Sequence, residues 1–205
     1  MPPHIRPAAD TDTEALYDIC VRTARAGKDA RGQLDDDRLW GDLFAVPYQR
    51  LAPDHSYVLD DGTGQAVGYV VGTADTAAFA RLLREVWLPA TAGRVPVPPD
   101  PPVTAQDGLR ALHYHPEWRV NSQLAAYPAH LHIDLLPDWR GRGFGRGLMA
   151  AMIDGLRSAG VPGLHLEMLT SNTNARRFYD RLGFTEFPVS DPGDLTVLVR
   201  DTSPL

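Results

Sequence analysis

The stretch that most constrains this chain is LHIDLLPDWRGRGFGRGLMAAMIDGLRSAG, Leu131 to Gly160. Alternation over Leu131–Leu136 predicts a strand. Leu148, Met149, Met152, Ile153 and Leu156 fall at helical spacing, predicting a helix over Gly145–Ala159 that Gly160 closes. Between them lies Arg140-Gly141-Arg142-Gly143-Phe144-Gly145. Glycine permits positive φ and removes the side chains that would keep a guest away. A helix start leaves about four N–H groups unpaired and carries roughly half a positive charge. A glycine turn opening a helix is therefore an anion cradle, with phosphate its usual guest. Arg140, Arg142 and Arg146 are available to add direct charge.

The remaining sequence bounds the rest. At 205 residues and 43% apolar, the chain is long enough for one domain with a full core. We expect a single domain over 1–205. The net charge of −6 argues against a nucleic-acid partner. No apolar run reaches the length of a membrane span, so no membrane partner is expected. The first residues lack the layout of a signal peptide. Cys20 is the only cysteine, which fits a reducing, cytoplasmic setting. Abundant alanine, glycine and proline, with arginine as the main cation, suggest a GC-rich bacterial coding sequence.

His4–Pro7 reads as a short strand. Asp10–Thr13 offers N-cap chemistry for a helix carrying Leu16, Ile19, Cys20 and Thr23, with Gly27 as its stop. Leu34 to Phe44 reads as a second, acidic helix. Ser56–Asp60 and Ala66–Thr73 are two strands of a hairpin. Asp75 to Leu88 reads as a helix with Phe79, Leu82, Leu83 and Val86 on one face. The proline-rich span 94–103 is a loop or flap, because proline suits neither a helix interior nor a central strand. Gly108–Tyr114 is a short helix, Leu164–Leu169 a strand, Ala175–Leu182 a helix closed by Gly183, and Leu195–Val199 a last strand. The fold class is mixed α/β.

Three phosphate-binding patterns can be compared with the turn. The P-loop fails because it has no lysine, and the dinucleotide fingerprint fails because its third glycine is missing. The third, Arg/Gln-x-x-Gly-x-Gly/Ala, is matched by Arg140, Gly143 and Gly145. That segment resembles the coenzyme A-binding motif of the GNAT family of N-acetyltransferases. Asn172-Thr-Asn-Ala175-Arg-Arg-Phe178-Tyr179-Asp-Arg-Leu-Gly183-Phe184 resembles the family's second conserved block. The opening Ile5-Arg6-Pro7-Ala8 and the hairpin end Val67-Gly68-Tyr69-Val70 also fit. Gly68 to Phe79, Trp87-Leu-Pro89 and Tyr127-Pro128 resemble, more narrowly, the acetyltransferase-like C-terminal domain of O-GlcNAc hydrolases. In those domains the glycine turn is eroded, and here it is intact.

The resemblance implies a twisted, mostly antiparallel sheet whose central parallel strands, 130–136 and 164–169, splay apart. It implies acetyl-CoA as co-substrate, with no metal. The pyrophosphate would lie on the amides from Arg142 to Arg146, in the turn Arg140, Gly141, Arg142, Gly143, Phe144, Gly145 and Arg146. The pantetheine arm would lie in the splay, with Asn172, Ala175 and Phe178 beside it. The N–H of Leu135 or Leu136 would polarise the thioester carbonyl, and Tyr179 would protonate the departing thiolate. The acceptor would be a small-molecule or peptide amine, near the 94–128 segment, and the family also allows a homodimer. A domain that binds acetyl-CoA, or another protein, without turnover is the alternative.

The residues themselves add a base. His130, His132 and Asp134 alternate onto one face of their strand. Asp134, or His132 with it, is the candidate, directly or through a water. His ligands at i, i+2 alone do not make a metal site.

Overall fold

The computed structural model describes all residues, 1–205, of the chain. Seven strands form one sheet in the order β1-β2-β3-β4-β5-β7-β6. They are β1 (His4–Pro7), β2 (Ser56–Asp60), β3 (Ala66–Thr73), β4 (Ala129–Leu135), β5 (Gly163–Leu169), β6 (Thr185–Glu186) and β7 (Leu195–Asp201). Every neighbouring pair is antiparallel except β4 and β5. This is the expected mixed α/β class with a central parallel pair.

The helices are α1 (Thr13–Val21), α2 (Arg38–Phe44), α3 (Val46–Leu51), α4 (Thr76–Leu82), α5 (Leu88–Thr91), α6 (Ala105–Tyr114), α7 (Phe144–Ser158) and α8 (Thr173–Asp180). Helix α7 buries Leu148, Met149, Met152, Ile153 and Leu156 against one face of the sheet, as its spacing requires. Leu131, Leu164, Leu166 and Met168 meet it from β4 and β5. The opposite face holds a second core, in which Leu16, Ile19 and Cys20 of α1 and Tyr48 of α3 pack on Val58, Tyr69 and Val71. Glycine closes α7 as expected: Gly160 takes φ 74°, and the Val161 N–H returns to the Leu156 carbonyl at 3.0 Å.

Four expectations on the helical side need correction. Asp12 does not cap α1; its carboxylate takes the Arg6 guanidinium at 2.7 and 2.9 Å and the Ala9 N–H at 2.8 Å. Helix α1 ends at Val21, and Gly27 serves a later turn at φ 84°. The acidic stretch is helical only from Arg38, because Asp36 and Asp37 accept N–H bonds from Arg38 and Gly32 and so build turns. Beyond α4 the helix widens into a π-turn at Leu83–Trp87. Phe79 and Leu83, one helical turn apart, are buried, while Leu82 and Val86 are exposed.

The proline-rich span 94–103 has no regular secondary structure. It is nonetheless anchored. Val95 is buried against Leu39 and Leu43, and its carbonyl accepts the Tyr114 hydroxyl at 2.6 Å.

Gly72 shows how closely β3 and β4 are set. A Cβ there would stand 2.5 Å from the His130 carbonyl oxygen and 3.0 Å from the end of Met152. Gly108, inside α6, has nothing within 4 Å of that position. Gly72→Ala is expected to destabilise the fold by about 1–3 kcal/mol through overpacking. Gly108→Ala is expected to stabilise it by about 0.5–1 kcal/mol through helix propensity. Urea denaturation of the two variants checks both signs.

Candidate active site

Strands β4 and β5 pair at only two levels, Ala129 with Leu164 and His130 with His165. From there to their C-terminal ends they part, while β3 stays registered with β4 up to Leu135. The result is a gap bordered by one side of β4. Antiparallel strands alternate the direction of their main-chain groups. Leu136 N–H is committed to the Val67 carbonyl on β3 at 3.0 Å. By alternation the groups of Leu135 and Ile133 point the other way, into the gap. This corrects the expectation that either Leu135 or Leu136 is free to donate to an oxyanion: Leu136 is not.

The glycine turn lies at the mouth of this gap. Gly141 and Gly143 adopt φ 73° and 86°, values that suit glycine alone, and a Cβ on either would project into open space. No side chain caps α7. The first main-chain amide paired within the protein is Gly147, which donates to Gly143 at 3.2 Å, so the amides from Gly141 to Arg146 have no protein acceptor. A helix start left so bare presents a row of unpaired donors at the positive end of its dipole. Phe144 is half-buried against Trp139, and Gly145 lies against the Phe178 ring, 3.2 Å from where its Cβ would be. Arg142 and Arg146 are exposed and have no carboxylate within ion-pair distance.

Arg140 behaves differently from its expected role beside the anion. Its Nε donates to the Leu135 carbonyl at 2.7 Å and its Nη1 to the Gly27 carbonyl at 2.8 Å. It ties the end of β4 to the loop after α1.

Helix α8 borders the gap from the α7 side. Asn172 caps it, with Oδ1 accepting from Ala175 N–H at 3.1 Å, which leaves the side-chain NH2 group without a protein acceptor. Tyr179 is buried and packs edge-on against Phe178 and Phe184. Its hydroxyl has no protein hydrogen-bond partner. Burial raises its pKa above that of an ordinary phenol, with Asp134 adding to the shift.

On the other face the side chains of β4 and β5 form a polar wall. Asp134 accepts the Tyr69 hydroxyl at 2.8 Å. Burial pushes its carboxyl up to about 6, against the lowering effect of Tyr69. His132 does not bond Asp134; its Nε2 meets the Tyr48 hydroxyl at 3.1 Å. The two therefore do not form a dyad, and burial pushes His132 down to about 3. His130 is buried and held by Tyr48 and Thr76. At the closed end, Trp118, Arg119, His130, His132, His165 and Glu167 line a small pocket of about 30 Å³, roomy enough for water.

Tyr48, Trp118, Arg119, His165 and Glu167 were not among the residues the sequence singled out. His165 and Glu167 had a signal: they alternate with Leu164, Leu166 and Met168 as His132 and Asp134 alternate with their neighbours. Glu167 has no protein hydrogen bond. Glu167 is exposed at the rim of the pocket, and the partial desolvation of its carboxyl there raises it above the ordinary value, although the Arg119 guanidinium pulls the other way. Arg119 is buried, donates to the Leu43 carbonyl at 2.8 Å and has no ion-pair partner. Nothing in the local sequence marks it.

The sequence profile of the acetyltransferase (GNAT) family matches residues 14–184. The chain belongs to the GNAT family. It is similar over 99% of its length to all of the chain solved as SsHAT, with 51% identity and a TM-score of 0.95. It is 26% identical over 200 residues to protein O-GlcNAcase of Rattus norvegicus. That match takes in 96% of this chain and 22% of the relative, so the chain spans about a fifth of that protein's length. The structure of yncA from Salmonella typhimurium, solved with its cofactor acetyl-CoA, shares the fold at a TM-score of 0.58 and 17% identity, over 99% of this chain and 95% of that one.

Asp134 gives a measurable consequence of the site. Its folded pKa of about 6 lies above the ordinary value of 3.8, so the folded state binds its proton more tightly than the unfolded chain does. The resulting penalty is absent below about pH 4, grows as pH rises towards 6, and is constant above that. Asp134→Asn should therefore gain stability relative to the parent between pH 4 and pH 8, by about 2–3 kcal/mol. Urea denaturation at the two pH values measures the difference, and a gain that shrinks with pH contradicts the assignment.

Proposed function

We propose that this protein transfers the acetyl group of acetyl-CoA to an amine by direct attack. The observation that carries the reading is the run of unpaired amides from Gly141 to Arg146 at the mouth of the gap between β4 and β5. A phosphate-bearing, elongated co-substrate fits both features: the cradle takes the pyrophosphate, and the gap takes the amide-bearing arm. Main-chain groups on the open side of β4 pair with that arm as they would with an added strand. When bound, the thioester supplies an activated acyl carbon and a thiolate leaving group.

The chain's own residues supply the rest. The amides from Arg142 to Arg146, with the Arg142 and Arg146 side chains, hold the negative charge, while Gly141 and Gly143 keep the cradle bare. Phe144, Gly145, Ala175 and Phe178 wall the entrance, and the free NH2 of Asn172 meets the arm. Leu135 N–H stabilises the oxygen of the acetyl group as negative charge develops on it. Glu167 accepts the amine proton, directly or through a water in its pocket. It is preferred to Asp134 because Asp134 has one oxygen held by Tyr69. Asp134 adds negative charge to the acceptor side, and His132 lines it. Tyr179 returns a proton to the sulfur; a phenol with a raised pKa keeps that proton until the sulfur demands it. Two carboxylates on the acceptor side favour an acceptor that is cationic in solution.

The test is binding and turnover together. Acetyl-CoA should raise the melting temperature, and free thiol should appear when a panel of primary amines is supplied. Gly143→Leu should abolish binding by calorimetry while the fold, followed by circular dichroism, persists. Glu167→Gln and Tyr179→Phe should each lower kcat about a hundredfold and leave acetyl-CoA affinity nearly intact. A melting shift without thiol release across the panel makes the protein a binding module instead.

A further inference from the structure

A relay of four side chains runs behind the polar wall of the cleft. Thr76 Oγ1 lies 2.7 Å from the Pro128 carbonyl oxygen and 2.8 Å from His130 Nδ1. The Tyr48 hydroxyl lies 2.7 Å from His130 Nε2 and 3.1 Å from His132 Nε2. Hydrogen positions in this relay follow from its chemistry. A carbonyl only accepts, so the one hydroxyl hydrogen of Thr76 goes to Pro128. His130 Nδ1 must then donate to Thr76. His130 is buried with no carboxylate in ion-pair reach, which keeps the ring neutral and its Nε2 bare. That lone pair takes the Tyr48 hydrogen. Tyr48 then has only lone pairs for His132, so His132 Nε2 must be the donor.

His132 likewise has no carboxylate partner, and burial keeps it neutral. Its Nδ1 is therefore the bare nitrogen. No protein donor reaches Nδ1, and it is not among the buried atoms left without partners, so it is open to the cleft that His132 shares with Glu167.

We propose that Tyr48 is a positioning residue: anchored through His130 and Thr76, it locks His132 with its proton on Nε2 and presents the bare Nδ1 to the acceptor nitrogen. Nδ1 accepts one N–H of the incoming amine while Glu167 takes the proton, and so aims the nitrogen lone pair. A ring held this weakly basic accepts that hydrogen bond without keeping the proton. The use of the lock rests on the acetyl-transfer reading; the lock itself does not. In the same way His165 Nδ1, which faces the Tyr127 carbonyl at 2.7 Å, must donate, but that bond lies outside the relay.

The experiment is long-range 1H–15N NMR of the full, 15N-labelled chain at pH 7. The expected result is two histidines of one strand in opposite tautomers, His130 protonated at Nδ1 and His132 at Nε2. Tyr48→Phe should leave His130 unchanged and turn His132 into a mixture. Thr76→Val should release both. With coenzyme A present, titration with ethylamine should move the His132 Nδ1 resonance in the parent and much less in Tyr48→Phe. His132 protonated at Nδ1 in the parent, or a His132 tautomer indifferent to Tyr48→Phe, overturns the lock. A stationary Nδ1 resonance throughout the titration overturns the contact. Absent thiol release with these signals intact counts against acetyl transfer and leaves the lock standing.

Discussion

The structure depends on a pairing that stops early. β4 and β5 share two levels of hydrogen-bonded ladder and then separate, although both strands continue for several residues. A strand edge inside a sheet is costly to leave bare, because each main-chain group there wants a partner. Here the flanking antiparallel pairs, β3 with β4 and β5 with β7, are complete and hold the two strands in place. The unpaired edge is thus rigid, and a rigid row of donors and acceptors is a binding surface that needs no ordering when a guest arrives. The bare start of α7 extends the same surface beyond the end of β4.

The two faces of the sheet divide the chemistry. On the α7 side the core is apolar and reaches Tyr179, the one phenol there whose hydroxyl lacks a protein partner. On the α1 side, polar residues of β4 and β5 meet Tyr48, Tyr69 and Arg119. Desolvation raises Asp134 and, at the exposed rim, Glu167, and lowers His132, so the carboxylates become better bases and the imidazole a poorer one. Carboxylates whose environments raise them towards neutrality suit proton abstraction better than ordinary ones.

Much of this was legible in the sequence because periodicity reports burial. The α7 stripe and the alternation of β4 were read from spacing, and the glycine turn from the φ values it requires. What escaped had physical reasons. The residue 36–37 turns compete with a helix through side-chain bonds that periodicity does not see. The π-turn after α4 has no local marker in the sequence. Leu136 looked as available as Leu135 because alternation of main-chain direction needs the register with β3, which only the fold supplies. Arg119 reaches the site from a short turn after α6, and Tyr48 from a helix that follows a break at Ala45. Glu167 was visible in principle, by the same alternation applied one strand later.

Arg140 has a mechanical consequence. One guanidinium spans from the carbonyl of Leu135, at the lip of the gap, to the carbonyl of Gly27, in the loop that follows α1. The neighbouring residue Gly141 opens the amide run. The bare amides are thus braced from two directions through one side chain, and the stiffness of the turn is borrowed from a segment more than a hundred residues earlier in the chain.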